Sequence, residues 1–392
     1  MKHYFSLLIV IFLIGYSPYI SAENEDSETD HYDLQDHLIE NLDDTQVDHY
    51  WQTITRDYGE YLPELQKTSF LNLIRQQEKF SVKSIISSMM KYLFHELISN
   101  GQLLGLLLLL TIFSVTLQTL QRAFSNSSLS QIAYFVIYIG LIYIALHSFT
   151  IAYSYTKSTI DTLSGFMIAL IPLLLSLMAT IGSMTALAYF HPVTIFLIQT
   201  SSIVVSKIVL PLLLLGALLK IVSSLSKHYQ VTFLAQLLRT ISLGLLGAIL
   251  TIFIGVMSVQ GTAHAVQDGI VLKTAKFITG NLIPVVGRTF TDAADTVLGA
   301  SLILKNAVGL IGLMIIGLIV MFPVVKLFSI ALIYKVAAAV LQPIGDGPVI
   351  KSLHIVSKYM FYILACLLTV SLMFFLALVV LIVSSNLILL FR

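Results

Sequence analysis

Arg288, Asp292, Asp295 and Gly299 recur at i, i+4, i+7 and i+11, one face of a helix. An Arg–Asp pair four residues apart neutralises itself, which is how charge is tolerated near a bilayer. Asn281 precedes this face, and Lys207 stands in the middle of an apolar run beside Pro211, where a lysine reaches water least easily. Lys207, Asn281, Arg288, Asp292 and Asp295 are therefore the candidates for a polar path, or for a buried contact between subunits. The alternative for the 285–299 segment is an interfacial helix with a solvated face. Lys326 and Lys335, at the margins of apolar runs, read as lysines that snorkel to the interface.

Other chemistries lack their residues. There is no phosphate-cradling glycine loop with Lys-Ser/Thr, no H-E-x-x-H helix and no G-x-S-x-G elbow. His31, His37, His49 and His95 do not have metal-ligand spacing. Cys366, the single cysteine, lies in an apolar run and reads as a small core residue. Gln342-Pro343-Ile344-Gly345-Asp346-Gly347-Pro348 has one acid, too few for calcium, and reads as a rigid connector between helices. The sequence is that of a non-enzymatic membrane protein without a cofactor: a channel, a transporter or a scaffold subunit.

The elements that carry these residues follow from composition. Of 392 residues, 57% are apolar and 11% charged, against about 25% charged in a soluble domain. Such a chain cannot cover a water-facing surface of its size, and the bilayer is its solvent. Residues 23–50 hold eleven acids and no Lys or Arg, whereas residues from 101 onward hold five acids and fifteen bases. The bases are scattered among apolar runs, so the pattern is not that of a nucleic-acid binder.

Met1-Lys2-His3, an apolar stretch over 4–14, and Ser21-Ala22 before Glu23 make a secretory signal peptide over 1–22. An acidic leader, 23–46, has too little to bury and is expected to be disordered. Residues 47–100 form an exported amphipathic helical region. Val47, Tyr50, Trp51, Ile54, Tyr58, Tyr61 and Leu62 lie on one helical face, which Pro63 ends. A further helix carries an apolar stripe through Val82, Ile85, Ile86, Met89, Met90, Leu93, Phe94, Leu97 and Ile98. Trp51, Tyr58, Ile86, Met89, Leu93 and Phe94 are the candidate partner-docking face; the alternatives are a helix lying in the membrane interface and packing within the region itself.

Residues 101–392 form the polytopic membrane domain. About seven spans are expected, at 103–120, 132–153, 163–182, 193–222, 241–259, 307–325 and 360–388, each near the ~20 residues a crossing needs. Whether 193–222 is one kinked helix or two short ones sets the parity, and the distribution of Lys and Arg leaves the side of the C-terminus open. Leu170-Ile171-Pro172 recurs as Leu282-Ile283-Pro284, Pro211 as Pro323, and Arg239 as Lys351, all 112 residues on. The matches mark two candidate repeat units, 163–259 and 275–371; the alternative is coincidence in a leucine-rich chain. The fold class is all-α, polytopic, with a small exported N-terminal helical region.

Whole segments carry a resemblance. YWQTITRDYGEYLPE (50–64), KYLFHELISNGQLLG (91–105), FHPVTIFL (190–197), DGIVLKTAKFITGNLIPVVGRTFTDAADTV (268–297), KVAAAVLQPIGDGPV (335–349) and LTVSLMFFLALV (368–379) closely resemble the stage III sporulation protein AE family of endospore-forming bacteria. The resemblance implies a multi-pass protein of the mother-cell membrane around the forespore. It implies partners, the other stage III A proteins and a ring-forming protein from the forespore, in a channel-like complex needed for late forespore gene expression. It brings no catalytic residues, and it implies that 47–99 face the intermembrane space. A pore or transport subunit, a structural scaffold without a path, and a stand-alone secondary transporter remain the three readings. Membrane lipid is a partner in each, and assembly into an oligomer is a further expectation. No ATP site is present, so any ATP-driven step belongs to another subunit.

Overall fold

The computed structural model describes residues 45–61, 70–76, 82–123, 128–180, 184–225, 231–282, 286–344 and 347–390. The signal peptide and nearly all of the acidic leader lie outside them. Every described element is a helix. Three lie before the membrane domain: α1 (Thr45–Tyr58), α2 (Phe70–Gln76) and α3 (Val82–Ser99). α4 (Gly101–Ala123) follows after a break at Asn100. Then come α5 (Ser128–Thr180), α6 (Met184–Val204), a π-helical segment (Val205–Val209) running into α7 (Leu210–Leu225), α8 (Thr232–Leu282), α9 (Val286–Leu341) and α10 (Pro348–Leu390).

Six stretches among the described residues are long and apolar enough to cross a membrane, where seven spans were expected. The difference lies at 132–153 and 163–182, which are parts of the single 53-residue helix α5. The polar stretch between them, Ser154 to Thr162, contains no glycine or proline. Its Lys157 and Asp161 are spaced for a helical ion pair, and the Thr159 hydroxyl donates back to the Tyr155 carbonyl. Polarity there marks a wetter level of the helix, not a reversal of the chain. A continuous helix crosses once.

The 193–222 stretch is likewise one helical path. Pro211 has no N–H to offer the Lys207 carbonyl four residues back. The turn before it widens, and the Leu210 N–H donates to the Val205 carbonyl, five residues back. Pro172 and Pro323 lie inside α5 and α9.

α5, α9 and α10 are the centre of the bundle: 61%, 61% and 56% of their apolar windows are buried, against 17% in α4 and 22% in α8. The last two are the exposed flanks of the bundle. In lipid the helices gain little by hiding apolar surface, so close packing and interhelical hydrogen bonds hold them. A Cβ at Gly309 would sit 2.6 Å from Ile382, and one at Gly312 2.5 Å from Leu170, so α9 meets α10 and α5 at glycines. The Tyr138 hydroxyl meets Ser224 and Ser352 at 3.0 and 2.9 Å, tying α5, α7 and α10. Ser148 and Tyr334 share a 2.7 Å bond between α5 and α9. Such bonds contribute about 0.6 kcal/mol each within a bilayer.

Candidate functional site

The N-terminal helices are docked on the central helices by an aromatic seam. In α1, Val47, Trp51 and Ile54 point inward at i, i+4 and i+7 and are 1–3% exposed. The Tyr50 ring meets Phe166 edge-on at 5.8 Å, with its hydroxyl directly over Gly165 of α5. Tyr58 stacks flat on Phe322 of α9 at 4.0 Å and 5°. Tyr92 of α3 meets the same ring edge-on at 5.0 Å, and Tyr61 meets Tyr92 at 4.9 Å. Phe322 is fully buried and is the hub of the seam.

An ion pair lies beside it. Glu96 of α3 is buried, and its carboxylate accepts from the Tyr92 hydroxyl at 3.0 Å and the Asn100 amide at 2.9 Å. Lys326 of α9 stands 3.5 Å from the same carboxylate and donates to the Tyr155 hydroxyl of α5 at 2.8 Å. Its ammonium also lies over the Tyr155 ring, 4.3 Å from the centroid. Lys326, expected to snorkel, instead points into this cluster. Burial, then nearby Asp57, Tyr155 and Glu96, push the Tyr58 hydroxyl up to about 12. Burial and Glu96 push Tyr92 in the same direction, so it stays a neutral donor to the carboxylate.

The absence of a side chain at Gly165 lets α1 approach this closely. Gly165→Ala is expected to displace Tyr50 and weaken the docking of α1 by about 1–2 kcal/mol. The double variant Tyr50→Phe/Gly165→Ala, which removes the hydroxyl that the new methyl meets, should recover most of this in thermal unfolding of the purified protein.

The candidate docking face divides. Trp51 and Tyr58 are spent on the chain's own packing and Leu93 is half-buried. Ile86, Met89 and Phe94 are exposed, at 58%, 42% and 57%, and Met90 and Ile98 extend them into one outward stripe. The side of α3 that faces the bundle is Ser88, Tyr92 and Glu96, at i, i+4 and i+8. A soluble helix would have turned the other way.

Of the candidate path residues, Lys207 lies in the π-helical segment and is exposed. Asn281 belongs to the last turn of α8, and Arg288, Asp292 and Asp295 to the first turns of α9, so the four flank one helical connection. Their side chains lie outside the described residues.

Sequence reasoning passed over Lys305. It is fully buried between α9 and α10, and its ammonium donates to the Ile382 carbonyl at 3.0 Å. Its position just before the apolar run 307–325 was the available signal, because an ionisable group next to a span invites attention. Lys305→Met keeps the volume and removes a buried charge. Thermal stability is expected to change by no more than about 1 kcal/mol, because the desolvation relieved offsets the hydrogen bond lost. Lys305→Glu sets a carboxylate against the same carbonyl and should sharply reduce accumulation of the protein in membranes.

Long apolar helices that share a buried centre, with an N-terminal helical cap, define a polytopic all-helical membrane protein. The model of the family described as "Stage III sporulation protein AE" matches residues 65–385. The "Stage III sporulation protein AE" of Bacillus subtilis (strain 168) is 49% identical over 386 residues, covering 97% of each chain. The chain belongs to the stage III sporulation protein AE family, and its role is in sporulation. No solved structure matches it.

Proposed function

We propose that the chain is a membrane subunit of the channel-like complex that links mother cell and forespore, working with the other stage III A proteins and the forespore's ring-forming partner. It sits in the mother-cell membrane around the forespore, with 47–100 on the extracytoplasmic side. The observation that carries the reading is α3. It is held to the central helices by Glu96, Tyr92 and Lys326, yet turns Ile86, Met90, Phe94 and Ile98 outward. A helix fixed on its polar side with a free apolar stripe is positioned to be gripped by a neighbour. Its exported location is inferred from the signal peptide.

A photo-crosslinking residue at Phe94 or Ile98, introduced in sporulating cells, tests this. Adducts with other stage III A proteins that vanish when those proteins are deleted are the expected result. Adducts with lipid alone would place α3 in the membrane interface and remove the argument. Cysteines along 281–299, probed with a membrane-impermeant thiol reagent, separate the two roles within the complex. Labelling of the Arg288–Asp292–Asp295 face from the intermembrane side supports a path. Protection lifted only by deleting partners supports a scaffold.

A further inference from the structure

A cavity of about 600 Å³ opens where α7, α8, α9 and α10 end or begin. Lys220 of α7, Lys335 of α9, and Lys351 and His354 of α10 converge on it from three helices. No carboxylate is among its described lining residues; Asp346 lies outside the described residues. Thr232 and Gln342 add a hydroxyl and an amide, and the Thr232 hydroxyl already pairs with Ser223 at 2.7 Å. Thr232 opens α8 and Pro348 opens α10, so two long helices begin at the mouth, where backbone N–H groups and the positive end of the helix dipole favour an anion.

The cavity's height in the bundle matters as much as its charge. It lies where four apolar windows stop or start, at Ser224, Thr232, Ile344 and Pro348. In a membrane protein that is the level at which apolar helix gives way to the polar interface, where lipid phosphates reside. Ala338, Ile350 and Ile355 supply apolar wall next to the ammonium groups. A cavity with cations at the rim and aliphatic wall beside them fits a headgroup with the start of its acyl chains better than a fully hydrated ion.

We propose that this cavity binds a phosphate group, presented by the headgroup of an anionic phospholipid. Lys220, Lys335 and Lys351 hold the phosphate oxygens, and the apolar wall takes the glycerol end of the chains. The site stands apart from the aromatic seam and does not depend on the role assigned to α3.

The full-length protein, purified in detergent, is titrated with dioctanoyl phosphatidylglycerol or dioctanoyl phosphatidylcholine and followed by native mass spectrometry. Phosphatidylglycerol should be retained at least ten-fold more strongly. The triple variant Lys220→Gln/Lys335→Gln/Lys351→Gln should lose about 100-fold in affinity and Lys335→Gln alone about 5-fold. Lys83→Gln/Lys91→Gln, on exposed positions of α3, should lose nothing. Lys335 is itself exposed, so its single variant remains informative if the triple variant fails to fold. Inorganic phosphate and glycerol 1-phosphate distinguish the sources: displacement of the lipid by either at similar concentration would retain the phosphate site but assign it to a soluble ligand. Equal retention of the two lipids by the wild type, or equal retention of phosphatidylglycerol by the triple variant and the wild type, would overturn the proposal.

Discussion

Phe322→Ala should release the N-terminal helices from the membrane domain. Phe322 is fully buried and takes Tyr58 on its face and Tyr92 on its edge. Removing the ring leaves a cavity beneath two aromatic side chains from different helices and deletes both ring contacts. Large-to-small changes of this kind cost about 3–5 kcal/mol, including the cavity. The expected signature is selective. Arg56 and Lys91 should become fast trypsin sites in the detergent-solubilised protein, while the fragment containing α5, α9 and α10 stays intact. Phe233→Ala, at a residue that is 84% exposed, is the control and should change stability by no more than about 0.5 kcal/mol. A Phe322→Ala protein that keeps wild-type protection at Arg56 would show that the seam does not hold the cap.

The second large effect is expected at Glu96. Glu96→Ala leaves the Lys326 ammonium facing a site that has lost its carboxylate, with the Tyr155 hydroxyl and ring as its remaining neighbours. Breaking a buried pair from one side typically costs 3–5 kcal/mol. Lys326 keeps 23% of its side-chain exposure, so water offsets part of this and about 2–4 kcal/mol is expected. Lys326→Met should cost less than Glu96→Ala, because the carboxylate left behind keeps the Tyr92 hydroxyl and the Asn100 amide. The double variant Glu96→Leu/Lys326→Met removes both charges and should recover most of the loss, since apolar groups of similar volume often replace a buried pair at little net cost. Thermal unfolding of the wild type, Glu96→Leu, Lys326→Met and the double variant closes the cycle. A double variant as unstable as the sum of the two singles would mean that the groups do not interact.

Helix periodicity located the helical faces of α1 and α3. The face through Val47, Trp51 and Ile54 is the buried face of α1, and the stripe 82–98 lies within α3. The orientation of α3 was not legible in the same pattern. Amphipathicity tells which residues share a face; it tells which face turns inward only when the outside is water. Beside a bilayer or a partner, an apolar stripe can face out without penalty, and the inward side was marked only by the spacing of Tyr92, Glu96 and Asn100. The continuity of α5 was hidden for a related reason. A polar stretch between two apolar runs is read as a loop, but nothing in Ser154–Thr162 breaks a helix, and packing against α9 carries it through. Lys326 could not be paired from sequence, because its partner lies 230 positions earlier in the chain. The polar residues around Arg288 were found by spacing, and spacing alone says nothing of what they face.

The lengths of the central helices have a mechanical consequence. α9 has 56 residues, about 84 Å at 1.5 Å per residue, and the oily layer of a bilayer is about 30 Å thick. Wherever lipid takes hold of it, more than half of this rod stands in some other medium, and α5 and α10 accompany it as a sleeve. The Arg288 end of α9 and the cation-lined mouth toward its other end are therefore carried on one continuous helix, with Pro323 as the point along it where a backbone hydrogen bond is missing.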